Sequence, residues 1–378
     1  MTTSTRRVPL LDLAAQHALI REEILAELIP VIDSQRFIMG PDVGELECKI
    51  AGYTESKYAI ACASGSDALL LAWLALELGP GDKVITTPYS FFATAGSLAR
   101  IGVEPVFVDI DPVTFNIDPN QVEDALKRHE GVWAIQPVHL FGACADMDPL
   151  LALGQKYGAV VVEDAAQAIG AEYKGRRCGS IGAMGCFSFY PGKNLGAYGD
   201  GGIVTTNDAD LAEILTTLRQ HGGHKRYFHD VVGINSRLDT LQATVLKVKL
   251  RHLDTWTAQR QQNAARYLSL FSKAGLPVVL PAIAPYQTRH VFNQFTIQCA
   301  RRDELKAYLT TQGIGCEIYY PLPLHLQKCF EDLGYRNGDL PVSERLADEA
   351  LSIPIYPELN ADDQEYVVAT IADFYSAK

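Results

Sequence analysis

From about residue 58 to residue 206 the chain repeats one pattern, a short apolar run rich in β-branched residues followed by a longer amphipathic stretch. The runs predict strands at Tyr58–Ala63, Lys83–Thr87, Glu104–Val108, Ala134–Val138, Val160–Glu163, Cys186–Phe189 and Gly202–Thr206. Helical patterns such as Asp67–Leu78 and Asp148–Tyr157 lie between several of them. Runs like AVVVED are apolar throughout, which suits strands covered on both faces better than strict alternation does. The expectation is an α/β domain, a mostly parallel seven-stranded sheet flanked by helices.

Beyond residue 240 the pattern changes. A long helix is predicted from there to about residue 275, with a break near Leu253. A smaller α+β unit follows, with strand Val291–Gln298, helix Arg302–Gln312, strand Glu317–Tyr320 and a last helix Asp362–Tyr375. The boundary is placed at residue 250, giving an N-terminal arm and large domain over 1–250 and a small domain over 251–378. The first 50 or so residues are expected to pack on the smaller unit.

Charge and composition narrow the function classes. The 378 residues are 48% hydrophobic, enough for a sizeable core, and carry a formal net charge of -12. An acidic balance argues against nucleic acid or an anionic membrane as partner. The apolar run Ala68–Leu78 is too short to span a bilayer, and MTTSTRRVPLLDL has no signal-peptide pattern, so a cytoplasmic protein is expected. The eight scattered cysteines form no CxxC pair and read as reduced and structural. Two histidines in HGGHKR (221–226) without a carboxylate or cysteine make weak ligands, and no metal site is expected; a basic loop near a substrate diphosphate, or a plain surface loop, fits better.

Three segments carry chemistry. In IACASGSDALLLAWLALEL a strand gives way to a helix through Ser64-Gly65-Ser66, where free N–H groups can seat a phosphate. The same residues also read as an ordinary turn with Ser66 as N-cap. In VVVEDAAQAIGA a buried strand ends at Asp164, where open α/β sheets bind ligands. A carboxylate there can keep a pyridinium nitrogen protonated, with Gln167 near a ring hydroxyl, or it can cap the next helix. In CFSFYPGKNLGAYGDGG the apolar neighbours of Lys193 would lower its pKa towards a nucleophilic amine, and Ser188 can donate to a phosphate.

These segments, with FIMGPDVGELE, TTPYSFFATAGS, VFVDIDPVTFNID, PVHLFG, GINSRLDTLQA and YYPLPLH, resemble the DegT/DnrJ/StrS family nearly end to end. That family comprises nucleotide-sugar aminotransferases of the aspartate aminotransferase fold (fold type I). The resemblance implies pyridoxal 5'-phosphate as cofactor, held as a Schiff base by Lys193. It assigns Asp164 to the ring nitrogen, Gln167 to the ring's hydroxyl side, and Gly65, Ser66 and Ser188 to the phosphate. Phe91 would stack on the ring, with Phe92 as the core member of the pair. Asn235 would reach the phosphate across a homodimer interface, and Arg237 would contact a substrate anion. His139 faces either the ligand or the core. Tyr319, Tyr320 and His325 would approach the sugar or form a structural aromatic turn.

The implied reaction moves an amino group from L-glutamate to a keto sugar nucleotide, in amino-sugar, polysaccharide or glycoside biosynthesis. The G-A-Y-G-D-G-G segment resembles relatives acting at C3 of a UDP- or dTDP-linked 3-keto sugar. Amination at C4 of a 4-keto-6-deoxy sugar nucleotide is the alternative within the family, and a non-catalytic, cofactor-bound regulatory protein is the alternative outside it. No G-x-G-x-x-G follows the first strand, which disfavours a nicotinamide dehydrogenase.

Overall fold

The structure is a computed structural model that describes residues 6–225 and 227–376. Two helices, α1 (Leu13–Ser34) and α2 (Pro41–Thr54), precede the sheet. There follow β1 (Tyr58–Cys62), α3 (Gly65–Ala75), β2 (Lys83–Thr86), α4 (Ala93–Ala99), β3 (Glu104–Phe107), α5 (Pro119–Arg128), β4 (Val132–Ile135), α6 (Met147–Tyr157) and β5 (Val160–Asp164). A small hairpin, β6 (Glu172–Tyr173) and β7 (Arg176–Arg177), leads to β8 (Met184–Ser188), β9 (Gly202–Thr206), α7 (Ala209–Leu218) and α8 (Thr240–Leu250). The rest comprises α9 (Leu253–Ala274), β10 (Val278–Val279), β11 (Gln287–Arg289), β12 (Phe295–Cys299), α10 (Arg302–Thr311), α11 (Pro341–Glu349), β13 (Ala350–Ile353) and α12 (Ala361–Ser376).

All seven large-sheet strands form, in the order β1-β9-β8-β5-β4-β2-β3. Only β9 runs against its neighbours, so β1, β8 and β5 end at the same edge. Side chains alternate across the sheet as its period of two requires. Ala61, Ile85, Ile135, Val161, Phe187 and Ile203 enter one core with α2, α5, α6 and α8. Their neighbours Cys62, Val84, Ala134, Val162, Cys186 and Val204 enter the other with α3, α4 and α7. Burial on both faces accounts for the unbroken apolar runs.

The second unit is an antiparallel sheet, β10-β12-β13, packed with α9, α10 and α12 around Tyr267, Phe295, Leu305 and Ile371. The helix break lies at Arg251–His252, between α8 and α9. Several expectations change here. Residues 291–294 are not strand, because Val291 and Asn293 donate their N–H groups to Gly142 and Phe141 of the large unit. Glu317–Tyr320 keeps only a bridge from Glu317 to Ser352. β13 was not expected, since it follows α11 with no turn residue between them. In the first 50 residues the stretch around Val8 joins the second unit by pairing with Ile314, and α1, which packs with α2 on α8, also meets α9 where Ile20 and Ile24 lie against Trp256.

The two units are also joined by a buried carboxylate. Asp109, just past β3, accepts the N–H groups of Val342 (2.8 Å) and Ser343 (2.9 Å) and the Ser343 hydroxyl (2.6 Å). An acid from one unit thereby satisfies the first turn of α11, whose own N-cap, Leu340, offers no side-chain bond. Tyr89 adds a hydroxyl donated to the Tyr319 carbonyl at 2.8 Å. Asp109→Ala should lower unfolding stability by about 3 kcal/mol, since donors to a charged acceptor lose it inside the protein. Urea denaturation checks this, and Asp109→Asn, which keeps one acceptor oxygen, should lose less.

Candidate active site

The site lies at the edge where β1, β5 and β8 end, which is where parallel sheets leave backbone groups free to meet a ligand. After β1, Ser64 is the N-cap of α3, not Ser66: its hydroxyl accepts the Asp67 N–H at 3.1 Å and its carbonyl accepts that of Ala68 at 2.9 Å. Gly65 and Ser66 then form the first turn, and among the described residues their N–H groups have no acceptor. A Cβ on Gly65 would stand 2.5 Å from that of Ser188, at the end of β8. Glycine is thus what lets Ser188 close on the helix start, bringing hydroxyl and N–H groups to one small concavity.

At the end of β5, Asp164 is buried and its Oδ2 accepts the Thr94 hydroxyl at 2.8 Å. Thr94 in turn pairs with Ser90 at 2.7 Å. Oδ1 accepts the Ala166 N–H at 3.3 Å. Burial raises the Asp164 carboxyl above the usual range; Thr94, the Ala166 N–H and the Lys193 charge pull it back. Thr94 is a site residue that sequence reasoning missed. Its only signal is a hydroxyl at a buried position of α4, 70 residues from its partner.

Lys193 sits in the turn after β8, its own N–H donated to the Tyr190 carbonyl at 2.8 Å. The residue is half-buried, and desolvation of its ammonium brings the amine down to about 8, with Asp164 opposing the fall. Gln167 accepts the Phe141 N–H at 2.7 Å and donates to the Tyr320 hydroxyl at 3.2 Å. Tyr320 also lies beside Phe91, ring centres 6.2 Å apart, and Tyr319 against Tyr320. Gly65, Ser66, Phe91, Asp164, Gln167, Ser188, Lys193 and Tyr320 therefore meet at one edge of the sheet.

Other predicted residues lie elsewhere. His139 is fully buried: Nδ1 accepts the Ala145 N–H at 3.1 Å, so Nε2 carries the proton and donates it to Glu163 at 2.9 Å. With both nitrogens taken, it has nothing to offer a substrate. Glu163 also accepts the N–H groups of Gly179, Ile181 and Gly182. His325 is likewise buried, paired with Glu344 at 3.0 Å. Phe92 is not a core residue; at 48% exposed it resembles Phe91 at 57%, because both lie at the start of α4 rather than on a strand. Asn235 is exposed, with no side-chain partner among the described residues, although Ser236 beside it is buried and donates to Asp67 at 2.7 Å. Arg237 lines a groove of about 860 Å³ with Gln220, His221, His224 and Lys225. Arg226 of the same basic run lies outside the described residues.

The arrangement fits pyridoxal phosphate on its own observations: a phosphate seat that a Cβ would fill, a buried carboxylate, and a lysine depressed by desolvation. Residues 18–372 match the family described as the DegT/DnrJ/EryC1/StrS aminotransferase family. The chain is 52% identical to a "pleiotropic regulatory protein" of Geobacillus stearothermophilus, over 97% of this chain and 98% of that one. It is 44% identical to the UDP-N-acetyl-3-dehydro-alpha-D-glucosamine 3-aminotransferase of Acidithiobacillus ferrooxidans, over 98% of each. The X-ray structure of S. venezuelae DesV superposes with a TM-score of 0.95 at 42% identity, covering 99% of this chain and all of that one. Among the described residues no helix is long and apolar enough to cross a membrane.

The pKa of Lys193 predicts its reactivity. In the full chain without cofactor, labelling of Lys193 by an amine-directed reagent should rise with a midpoint near pH 8, well below the ordinary 10.5 of lysine. Asp164→Asn should move the midpoint down, because the Asp164 charge favours the ammonium. Peptide mapping reads each lysine separately; a Lys193 midpoint shared with exposed lysines would contradict the assignment.

Proposed function

Because the chain belongs to the DegT/DnrJ/EryC1/StrS aminotransferase family, we propose that it moves an amino group from L-glutamate to C3 of a UDP- or dTDP-linked 3-keto sugar. The family's cofactor is pyridoxal 5'-phosphate. The observation that carries the reading is the Lys193–Asp164 pair beside the free N–H groups of Gly65 and Ser66. Gly65, Ser66 and Ser188 would hold the phosphate, Phe91 the face of the ring, and Gln167 its hydroxyl side. When bound, the cofactor supplies a carbonyl that takes amines covalently and a ring that accepts electron density.

The chain's own residues do the rest. Asp164 holds a proton at the ring nitrogen, since a buried carboxylate is stabilised by a cation against it. Lys193, neutral in a useful fraction near pH 8, would serve as the base that takes the proton from the donor Cα and as the acid that delivers it to the carbon derived from the cofactor's carbonyl. Thr94, with Ser90 behind it, fixes the Asp164 carboxylate so that one oxygen keeps its orientation. Phe91, Tyr319 and Tyr320 would limit water at the site, and the two tyrosines would offer hydroxyls to a sugar.

Regiochemistry at C3 is supported by the G-A-Y-G-D-G-G segment and by the 3-aminotransferase named above. Asn235, exposed beside the buried Ser236, supports a homodimer in which each copy lends it to the other's phosphate. Arg237 and the basic groove suit a substrate diphosphate, and a cytoplasmic place suits such substrates. The regulatory name of one relative gives no reason to set catalysis aside, because Lys193, Asp164, Gln167 and Ser188 stand together here.

The cofactor-loaded protein, given L-glutamate and a panel of 3-keto and 4-keto UDP- and dTDP-sugars, should aminate a 3-keto member and release 2-oxoglutarate. Lys193→Ala should lower turnover about a thousandfold or more. Product from 4-keto sugars alone would move the reading to C4. A visible cofactor band indifferent to glutamate would make the protein a binder.

A further inference from the structure

The last turn of α8 holds a lysine that none of this chemistry uses. Lys249 is 4% exposed, and among the described residues it has no carboxylate partner. Its Nζ donates to the Gly196 carbonyl at 2.6 Å and lies 4.7 Å from the centre of the Tyr198 ring. The Tyr198 hydroxyl pairs with Nδ1 of His17 on α1, and the Tyr198 N–H is donated to Gln242 at 2.8 Å. Burial brings the Lys249 amine down to about 8. An apolar side chain would fill this helix position without the cost of desolvating a charge.

Gly196 is three residues past Lys193, in a turn closed tightly on itself. A Cβ on Gly196 would lie 2.3 Å from the Pro191 carbonyl oxygen. The Ala197 N–H is donated back to Phe189 at 2.7 Å. On the other side, Asn194 donates to the Val291 carbonyl at 2.9 Å and accepts from Asn293 at 3.1 Å. Lys193 is therefore carried between two anchors, one from the second unit at Asn194 and one from α8 at Gly196.

We propose that Lys249 is a positioning residue for Lys193, its buried ammonium pinning the Gly196 carbonyl and with it the turn that directs the Lys193 side chain towards Asp164. The neighbouring Lys247 does a different job, tying α8 to α2 through Asp42 and Glu45. Tyr198 covers the Lys249 ammonium with its ring face, a contact that favours a cation over a neutral side chain. The proposal rests on the role given to Lys193 above, so its test reads the turn itself, apart from turnover.

Lys249→Met keeps the bulk and removes charge and donor; Lys249→Gln is a milder change that falls short of Gly196. In the full chain, hydrogen exchange followed by mass spectrometry should be about tenfold faster over residues 190–199 in either variant, with β5 and β8 unchanged. With pyridoxal phosphate bound, the pH midpoint of the visible band should move, and kcat should fall more than KM changes. Should the methionine variant not fold, the glutamine variant decides. Wild-type exchange in the turn with an unmoved midpoint would overturn the proposal, as would faster exchange spread evenly over the chain. Failure of the sugar panel with a loosened turn would leave the positioning standing and sink the substrate reading alone.

Discussion

Asp164 is a carboxylate kept out of water at the end of β5, and much of the large unit answers the cost of putting it there. A lone buried acid would take up a proton, and burial does raise its carboxyl. Among the groups that work the other way are Thr94 from α4, the Ala166 N–H just beyond the strand, and the charge of Lys193 from the turn after β8. Each arrives on a different element, so the sheet order β8-β5-β4 and the seat of α4 on it are conditions for the site. The same dryness that raises Asp164 lowers Lys193.

Adjacent residues on β5 divide two tasks because successive side chains leave a strand on opposite faces. Asp164 turns towards α4, where it accepts the Thr94 hydroxyl and feels the charge of Lys193. Glu163 turns the other way and is filled by three backbone N–H groups of residues 179–182 and by His139. Four donors leave that acid no free lone pair for a ligand. It fixes the turn that feeds β8, and thereby Ser188 and the approach to Lys193.

The second unit contributes contacts more than chemistry. Its loop at Val291–Asn293 holds Asn194, Asp109 of the first unit holds α11, and Tyr320 lies between Gln167 and Phe91. The site is in this sense a seam: its floor is one sheet and part of its wall is a segment more than a hundred residues further on.

Local periodicity was enough to find all seven large-sheet strands, because burial on both faces writes itself into a few consecutive residues. The order of Gly65-Ser66, Asp164 and Lys193 was legible for a similar reason, each being a short motif on a strand end. Partnerships across the chain were not legible. Thr94 and Asp164 are 70 residues apart, Gly196 and Lys249 are 53, and Asp109 and Ser343 are 234. Whether His139 faced ligand or core, and whether Phe92 was buried, turned on packing between elements that no spacing rule reports. Sequence determined which residues could carry the chemistry, since that is set by side-chain type and local pattern. Tertiary structure decided which of them meet, since that is set by strand order and by which polar groups each buried charge finds.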